Sequence, residues 1–293
     1  MNRPLSLAYS TCPNDTYIFY AFANGKIDLG DLSFNIMLND VEHLNQEAKK
    51  GIVDISKLSF AAIGHLMETY GLLRTGAALG RGCGPLIVAR KGTGLNKMKS
   101  DKIAVPGLWT TANLLLGLFI DGTPNVFPVT FDKIMPAVIS GEYDYGVIIH
   151  EGRFTYQNYN LECLVDLGEW WESETTLPIP LGGIVMRRDI SQEIIRNVES
   201  GIRKSIEFAH LKPSQADEYV ESHAQELSHD VVRQHINLYV NEFSLDIGQE
   251  GESAIETLFA KARGKGILPN SDKNLFACND KNRLSFTDKK LKI

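Results

Sequence analysis

The feature that most constrains the fold of this chain is the alternation, kept up over residues 5–187, of short apolar runs of strand length with amphipathic stretches of helix length. Such alternation predicts an α/β protein. LSLAYS (5–10) leads into a helix over 13–23, opened by Pro13, Asn14 and Asp15 and stopped by Gly25. LSFNIML (32–38) precedes a second helix from about Asp40. VDISKLS (53–59) runs into SFAAIGHLMETYG, where Ser59 can cap a helix that Gly71 ends. LLRTGAAL and GPLIVARKG read as two strands about a glycine turn. KIAVPG (102–107) starts another unit with a helix over 110–120, and NVFPVTF repeats it with the helix FDKIMPAVISG. The third strand of that set ends at His150. After LGGIVMRRD the pattern is helical, and Ile195, Val198, Ile202, Ile206 and Ala209 recur at spacings of three and four as a buried stripe.

Strands that cross out near 87–89 and back near 184–186 divide the chain into two lobes with a hinge. The expected division is a larger discontinuous α/β lobe of 1–92 and 180–266, a smaller lobe of 93–179, and a polar tail of 267–293. A chain of 293 residues is long enough for two domains. A two-lobed architecture of this kind takes a small molecule between its lobes.

The charge balance narrows the partners. A formal net charge of −6, with Lys and Arg scattered rather than striped, offers no field for a phosphate backbone, so nucleic acid is not expected. No apolar run approaches the ~18 residues of a membrane helix, and LSLAY before Ser10, Thr11 and Cys12 is too short for a signal-peptide core. Cys12, Cys83, Cys163 and Cys278 form no CxxC pair, which fits reduced thiols and a cytoplasmic location. A homo-oligomer is left open.

In open parallel sheets the ligand lies beyond the carboxyl ends of the strands. Here those ends carry Ser10 to Asp15, then Lys57, Leu58 and Ser59, then Thr110 with Thr111, and finally His150. Three of the ends also open a helix, whose free N–H groups favour an anion such as a carboxylate. Ser59, Thr110 and Asp15 are equally residues that serve as ordinary helix caps. The Thr110–Thr111 pair exceeds what one cap needs. His150 closes the apolar run of YGVIIHEGRFTYQNY, and an imidazole there is either a plain strand-end residue or a near-neutral base facing the cleft.

The segments YSTCPNDTYIFYAF, DISKLSFAAIGH, GAALGRGCGPLIVAR, VPGLWTTANLLL and VIIHEGRFTY, in this order over most of 9–160 and followed by LGGIVMRRD, resemble the 1,4-dihydroxy-6-naphthoate synthases of the futalosine route to menaquinone. The resemblance implies a type II periplasmic-binding-protein-like fold and a cofactor-free lyase acting on cyclic dehypoxanthinyl futalosine, a carboxylated small molecule. It implies His150 as the proton acceptor, with Lys57, Leu58, Ser59, Thr110 and Thr111 holding the substrate; the strand-end position adds Asn14 and Asp15 as candidate substrate-binding residues. Two other functions fit the same fold: the chorismate dehydratase of that pathway, and a solute-binding module without catalysis.

The remaining motifs carry less. GRGCG (80–84) is followed by a strand, LIVAR, rather than by the helix that a dinucleotide site needs, so its glycines are expected to make a tight turn. Arg81 reads as solvent-facing, Cys12 as a small semi-buried residue, and Trp170 and Trp171 as packing. His229 and His235 are six apart, not four, and give no support for a metal site.

Overall fold

In the computed structural model, which describes residues 3–224 and 228–278, the strands form two sheets. The first contains β1 (Leu5–Tyr9), β2 (Phe34–Leu38), β3 (Ile55–Ser59), β4 (Tyr70–Leu72) and β5 (Ala78–Gly80). The second contains β6 (Leu86–Arg90), β7 (Ile103–Val105), β8 (Val126–Pro128), β9 (Tyr145–Ile148) and β10 (Leu161–Asp166), and β11 (Ile179–Arg187) then returns to the first. The first sheet runs β2-β1-β3-β11-β4 with β5 also on β11, and the second runs β10-β6-β9-β7-β8. Parallel pairing joins β1 to β2 and β3, and β7 to β8 and β9. The long β11 and the strand β6 are antiparallel to their neighbours.

The helices α1 (Pro13–Ala23), α2 (Val41–Lys49) and α3 (Phe60–His65) follow β1, β2 and β3. In the second sheet α4 (Thr111–Phe119), α5 (Phe131–Ser140) and α6 (Gly152–Thr155) follow β7, β8 and β9, and α7 (Leu167–Thr175) follows β10. The chain ends with α8 (Gln192–Leu211), α9 (Pro213–His223), α10 (His229–Tyr239), α11 (Glu242–Leu245) and α12 (Gly248–Gly264).

Local chemistry accounts for several of these boundaries. Asp40 caps α2 by accepting from the backbone N–H groups of Glu42 and His43, and Gly141 ends α5 in the left-handed region at φ 82°. α1 is buried from Pro13 to Phe22, as a helix apolar on nearly every face must be. It packs against α8, whose stripe of Ile195, Val198, Ile202, Ile206 and Ala209 is fully buried. Each of those isoleucines contributes on the order of 1.5–3 kcal/mol by leaving water. A buried polar group that α8 brings to that seam is satisfied twice: Ser205 Oγ donates to the Ile18 carbonyl at 2.7 Å and accepts from Phe22 N–H at 3.0 Å.

Three expectations need correction. β6, placed by the sequence reading in the larger lobe, pairs wholly within the second sheet, so the chain crosses between Gly80 and Leu86, ahead of residue 92. α3 stops at His65 rather than at Gly71, because Tyr70–Leu72 is taken up as a strand against β11. The part of the tail that is described is not a loose polar extension. Leu268 and Ala277 are buried, Leu72 N–H donates to the Leu275 carbonyl at 3.0 Å, and Ala277 N–H donates to the Leu72 carbonyl at 2.9 Å. An unpaired edge of β4 is thereby covered. Residues 279–293 lie outside the described residues.

The glycine cluster 80–84 does make a tight turn, with Gly82 at φ 65°. Gly84 meets Gly168 so closely that a Cβ on it would overlap the Gly168 backbone, which lets the start of β6 pass against the start of α7.

Candidate active site

All eight residues singled out from the sequence line one cavity, which lies where the strand ends of the two sheets meet. Strand-end topology brings them together: β1 delivers Asn14 and Asp15 on the first turn of α1, β3 delivers Lys57, Leu58 and Ser59, β7 delivers Thr110 and Thr111 at the head of α4, and β9 delivers His150.

On the first sheet the central feature is a buried ion pair. Lys57 Nζ lies 2.7 Å from Asp15 Oδ1 and donates to the Gly76 carbonyl at 2.9 Å. Asp15 also receives Ser10 Oγ–H at 2.7 Å and the Asn14 amide at 2.8 Å. The Lys57 ammonium thus faces the cavity with its charge matched by a carboxylate, not as a free cation. Leu58 is held in the sheet opposite Gly183, and a Cβ on the neighbouring Gly182 would press on the Leu58 carbonyl.

Ser59 sits at the N-cap position of α3 but makes no cap bond. Instead Asn45, fully buried on α2, accepts from Ser59 N–H at 3.1 Å and donates to Ser59 Oγ at 3.3 Å. A hydroxyl that accepts from Asn45 keeps its own proton to give. Asn45 also donates to the Trp109 carbonyl at 3.3 Å, joining the Ser59 segment to the loop that leads into α4.

The two threonines are occupied differently from what their pairing suggested. Thr110 Oγ1 donates to the Gly107 carbonyl at 2.7 Å and caps α4 by accepting from Asn113 N–H at 3.2 Å. Thr111 Oγ1 donates to the Leu181 carbonyl of β11 at 2.6 Å. Both hydroxyl protons are spent on the protein. What this end offers the cavity is the first backbone N–H groups of α4, at Thr111 and Ala112, which have no partner within the helix. Thr110→Ala should therefore cost about 1 kcal/mol of cap energy, a fall in Tm of roughly 2–4 °C. Ser59→Ala should cost less than this, since its hydroxyl caps nothing and the Asn45 amide that donates to it keeps the Trp109 carbonyl as an acceptor. Equal losses in differential scanning calorimetry would contradict this assignment.

His150 lies two residues beyond the end of β9, with its backbone in the left-handed region at φ 56°. The turn aims its ring at the cavity between three neighbours. Cys12 Sγ is 3.3 Å from Nδ1, the Phe131 ring is edge-on at 5.1 Å, and the His235 ring is stacked at 6.2 Å and 21°. Burial lowers the His150 pKa below its ordinary value, opposed in part by the charges of Glu151 and Asp15. The outcome is a neutral imidazole, able to accept a proton. Cys12 is buried, and burial raises its thiol well above the usual range with Glu151 and Asp15 adding to the shift, so it is a neutral thiol rather than a nucleophile.

His235 and Tyr239 on α10 complete the wall. Sequence spacing speaks to His235 only as a metal ligand, which its distance from His229 does not support. Its position was legible from another signal, since Val232, His235, Ile236 and Tyr239 form the buried stripe of α10. His229, by contrast, is exposed and sits 2.6 Å from Glu221. Among the described residues no group of three His, Cys, Asp or Glu side chains is placed to hold a metal ion. Arg81 is a surface residue, 2.8 Å from Glu250. Trp171 is core, its indole donating to the Pro178 carbonyl at 3.0 Å, and Trp170 packs edge-on to Phe119.

Residues 5–264 match the family model described as menaquinone biosynthesis. The chain belongs to that family. Within it, the chain is 46% identical over 272 residues to a 1,4-dihydroxy-6-naphthoate synthase of Thermus thermophilus, covering 93% of this chain and 98% of the relative. It is 40% identical over 270 residues to a 1,4-dihydroxy-6-naphthoate synthase of Streptomyces coelicolor, covering 90% and 95%. A crystal structure of a protein from Archaeoglobus fulgidus superposes with a TM-score of 0.85 at 34% identity over 90% of this chain and 98% of that one. The periplasmic-binding-protein-like fold expected from the sequence is borne out by more distant structures. A Candida albicans protein described as having that generic fold matches with a TM-score of 0.64 at 15% identity, over 92% of each chain. An alkanesulfonate-binding protein of Xanthomonas axonopodis matches with a TM-score of 0.67 at 10% identity, over 92% of this chain and 95% of that one. Among the described residues no helix of this family member is long and apolar enough to cross a membrane.

Proposed function

We propose that this member of the menaquinone-biosynthesis family is a lyase that converts cyclic dehypoxanthinyl futalosine into 1,4-dihydroxy-6-naphthoate, in the cytoplasm and without a resident cofactor. The observation that carries the reading is His150, a neutral imidazole in a cavity shared with Ser59 and the N-terminus of α4, in a chain 46% identical to a protein of that name.

The substrate is a carboxylated bicyclic ketone joined to a sugar-derived ring; removal of a proton and cleavage of the bond to that ring release the ring as the second product and leave an aromatic naphthalene diol, so aromatisation supplies the driving force. The protein has to supply a base near the ketone, donors for the developing oxyanion and a site for the carboxylate. His150 is the base. The Ser59 hydroxyl and the N–H groups of Thr111 and Ala112 are the donors, and the dipole of α4 favours negative charge there. With Lys57 matched by Asp15, the carboxylate is held by hydrogen bonds and the helix dipole rather than by an unpaired cation. Closure of the two sheets about the cavity excludes water from the enolate.

The test is a mass-spectrometric assay of purified protein with cyclic dehypoxanthinyl futalosine and, in parallel, chorismate, with no metal or nucleotide added. The expected result is 1,4-dihydroxy-6-naphthoate from the first and no turnover of the second. Turnover of chorismate alone would assign the dehydratase reaction instead. Loss of activity to a chelator, restored by a metal, would overturn the cofactor-free part.

A further inference from the structure

We propose that His235 is a positioning residue for the cavity, a second imidazole whose Nε2–H fixes the side-chain amide of Asn14 and, through it, the donors around Asp15. His235 is almost fully buried on α10, more than two hundred residues along the chain from Asn14, with its Nε2 2.9 Å from Asn14 Oδ1.

The hydrogen-bond chain admits one arrangement of protons. Asp15 already receives Lys57 and Ser10 and can only accept, so Asn14 must present its NH2 to Asp15 Oδ1, at 2.8 Å. The Asn14 carbonyl oxygen then faces His235, which must donate from Nε2. A neutral imidazole has one such proton, and His235 Nδ1 is accordingly a bare acceptor, buried with no hydrogen-bond partner among the described residues. That bare nitrogen is a cost an apolar residue in the same stripe of α10 would not carry, so the gain lies at Nε2.

The surroundings keep His235 in this state. His150 faces it from the turn after β9, Asn14 from α1, Phe154 from α6 and Tyr239 from its own helix, and none of these is an anion. Burial and the proximity of His150 push its pKa well below the ordinary value. When His150 takes a proton, a neutral ring stacked on it adds no second cation beside the new charge. The proposal deepens the reading of His150 as base, and only its kinetic arm rests on that reading.

Two variants separate the donor from the ring. His235→Phe keeps an aromatic ring and removes both nitrogens, and should lower kcat/KM by about 10–100-fold, the loss expected when a buried acceptor is orphaned. His235→Gln can place an amide N–H near the position of Nε2 and should recover most of that loss. The arm that needs no substrate is long-range 1H–15N NMR of the imidazoles over roughly pH 5.5–8. One histidine should show the Nε2–H tautomer without titrating, should vanish in His235→Gln and should persist in His150→Asn. A proton on Nδ1 of His235, or titration of His235 in that window, would overturn the proposal, as would a His235→Gln variant as impaired as His235→Phe with the same drop in Tm. If the wild type did not turn over cyclic dehypoxanthinyl futalosine, the proposed activity would fall, while the tautomer would still decide the role of His235.

Discussion

His150→Asn is expected to lower kcat by roughly 10²-fold or more while leaving ligand affinity and Tm close to those of the wild type. The backbone makes asparagine the right replacement. His150 sits at φ 56°, a conformation that asparagine adopts far more readily than most residues, so the turn that aims the side chain survives. Alanine there would confound loss of the base with backbone strain. The wild-type kcat/KM should fall on the acid side through one ionisation, because an imidazolium cannot accept a proton. Since burial lowers the His150 pKa, that limb should lie below the value of about 6.5 of an ordinary imidazole, and it should be missing from the Asn variant. Stability follows the same sign. As pH falls through about 6.5 the unfolded chain takes up protons that folded His150 and His235 do not, so the native state loses stability until pH drops below their folded pKa values. A His150→Asn enzyme with wild-type kcat and an unchanged pH profile would make the imidazole structural and shift the search for a base to Glu151, the nearest buried carboxylate on the same turn.

Much of the first sheet could be read from local pattern. β1, α1, the Asp40 cap and the α8 stripe each follow from residues within one or two turns of one another, and each is found in place. The convergence of Asp15, Lys57, Ser59, Thr110 and His150 on one cavity was legible for a different reason. Strand-end position is a topological property, and parallel pairing of β1 with β3 and of β7 with β9 carries those ends to the same edge.

Partners remote in sequence escaped that reading. Thr111 spends its hydroxyl on the Leu181 carbonyl 70 residues away, and only the fold reveals that the hydroxyl is unavailable. His235 reaches Asn14 across 221 residues, from a helix whose apolar period was visible but whose one polar member pointed to no motif. The tail misled for a related reason. Its composition is polar, yet among its described residues Leu268 and Ala277 are buried against the body of the protein. Composition averages over a segment, whereas burial selects individual side chains.

Breaking the Lys57–Asp15 pair from either side should give the largest loss of stability at the cavity. Both side chains are about 95% withdrawn from solvent, at 5% and 4% exposure, with Nζ and Oδ1 2.7 Å apart. Asp15→Asn preserves shape but keeps only one of the two acceptor oxygens that serve Ser10 and Asn14, and it leaves a buried ammonium without its counter-charge, a change that costs about 3–5 kcal/mol. For a chain of this size that is a fall in Tm of roughly 6–20 °C. Lys57→Met leaves the opposite charge uncompensated, although Ser10 and Asn14 still donate to the carboxylate, so its loss should be the smaller of the two. The double variant tests the argument. With both charges gone the desolvation cost disappears along with the attraction, and replacing a buried pair by neutral groups is often close to neutral, so the double variant should be more stable than Asp15→Asn alone. A double-mutant cycle by thermal denaturation reads this coupling directly. Losses that simply add would mean that Asp15 and Lys57 do not act as a pair, and Lys57 would again be available as a cation for the ligand carboxylate. A strongly favourable coupling, with ligand affinity reduced alike in both single variants, would make the pair the rigid floor against which Asn14 and Ser59 are set.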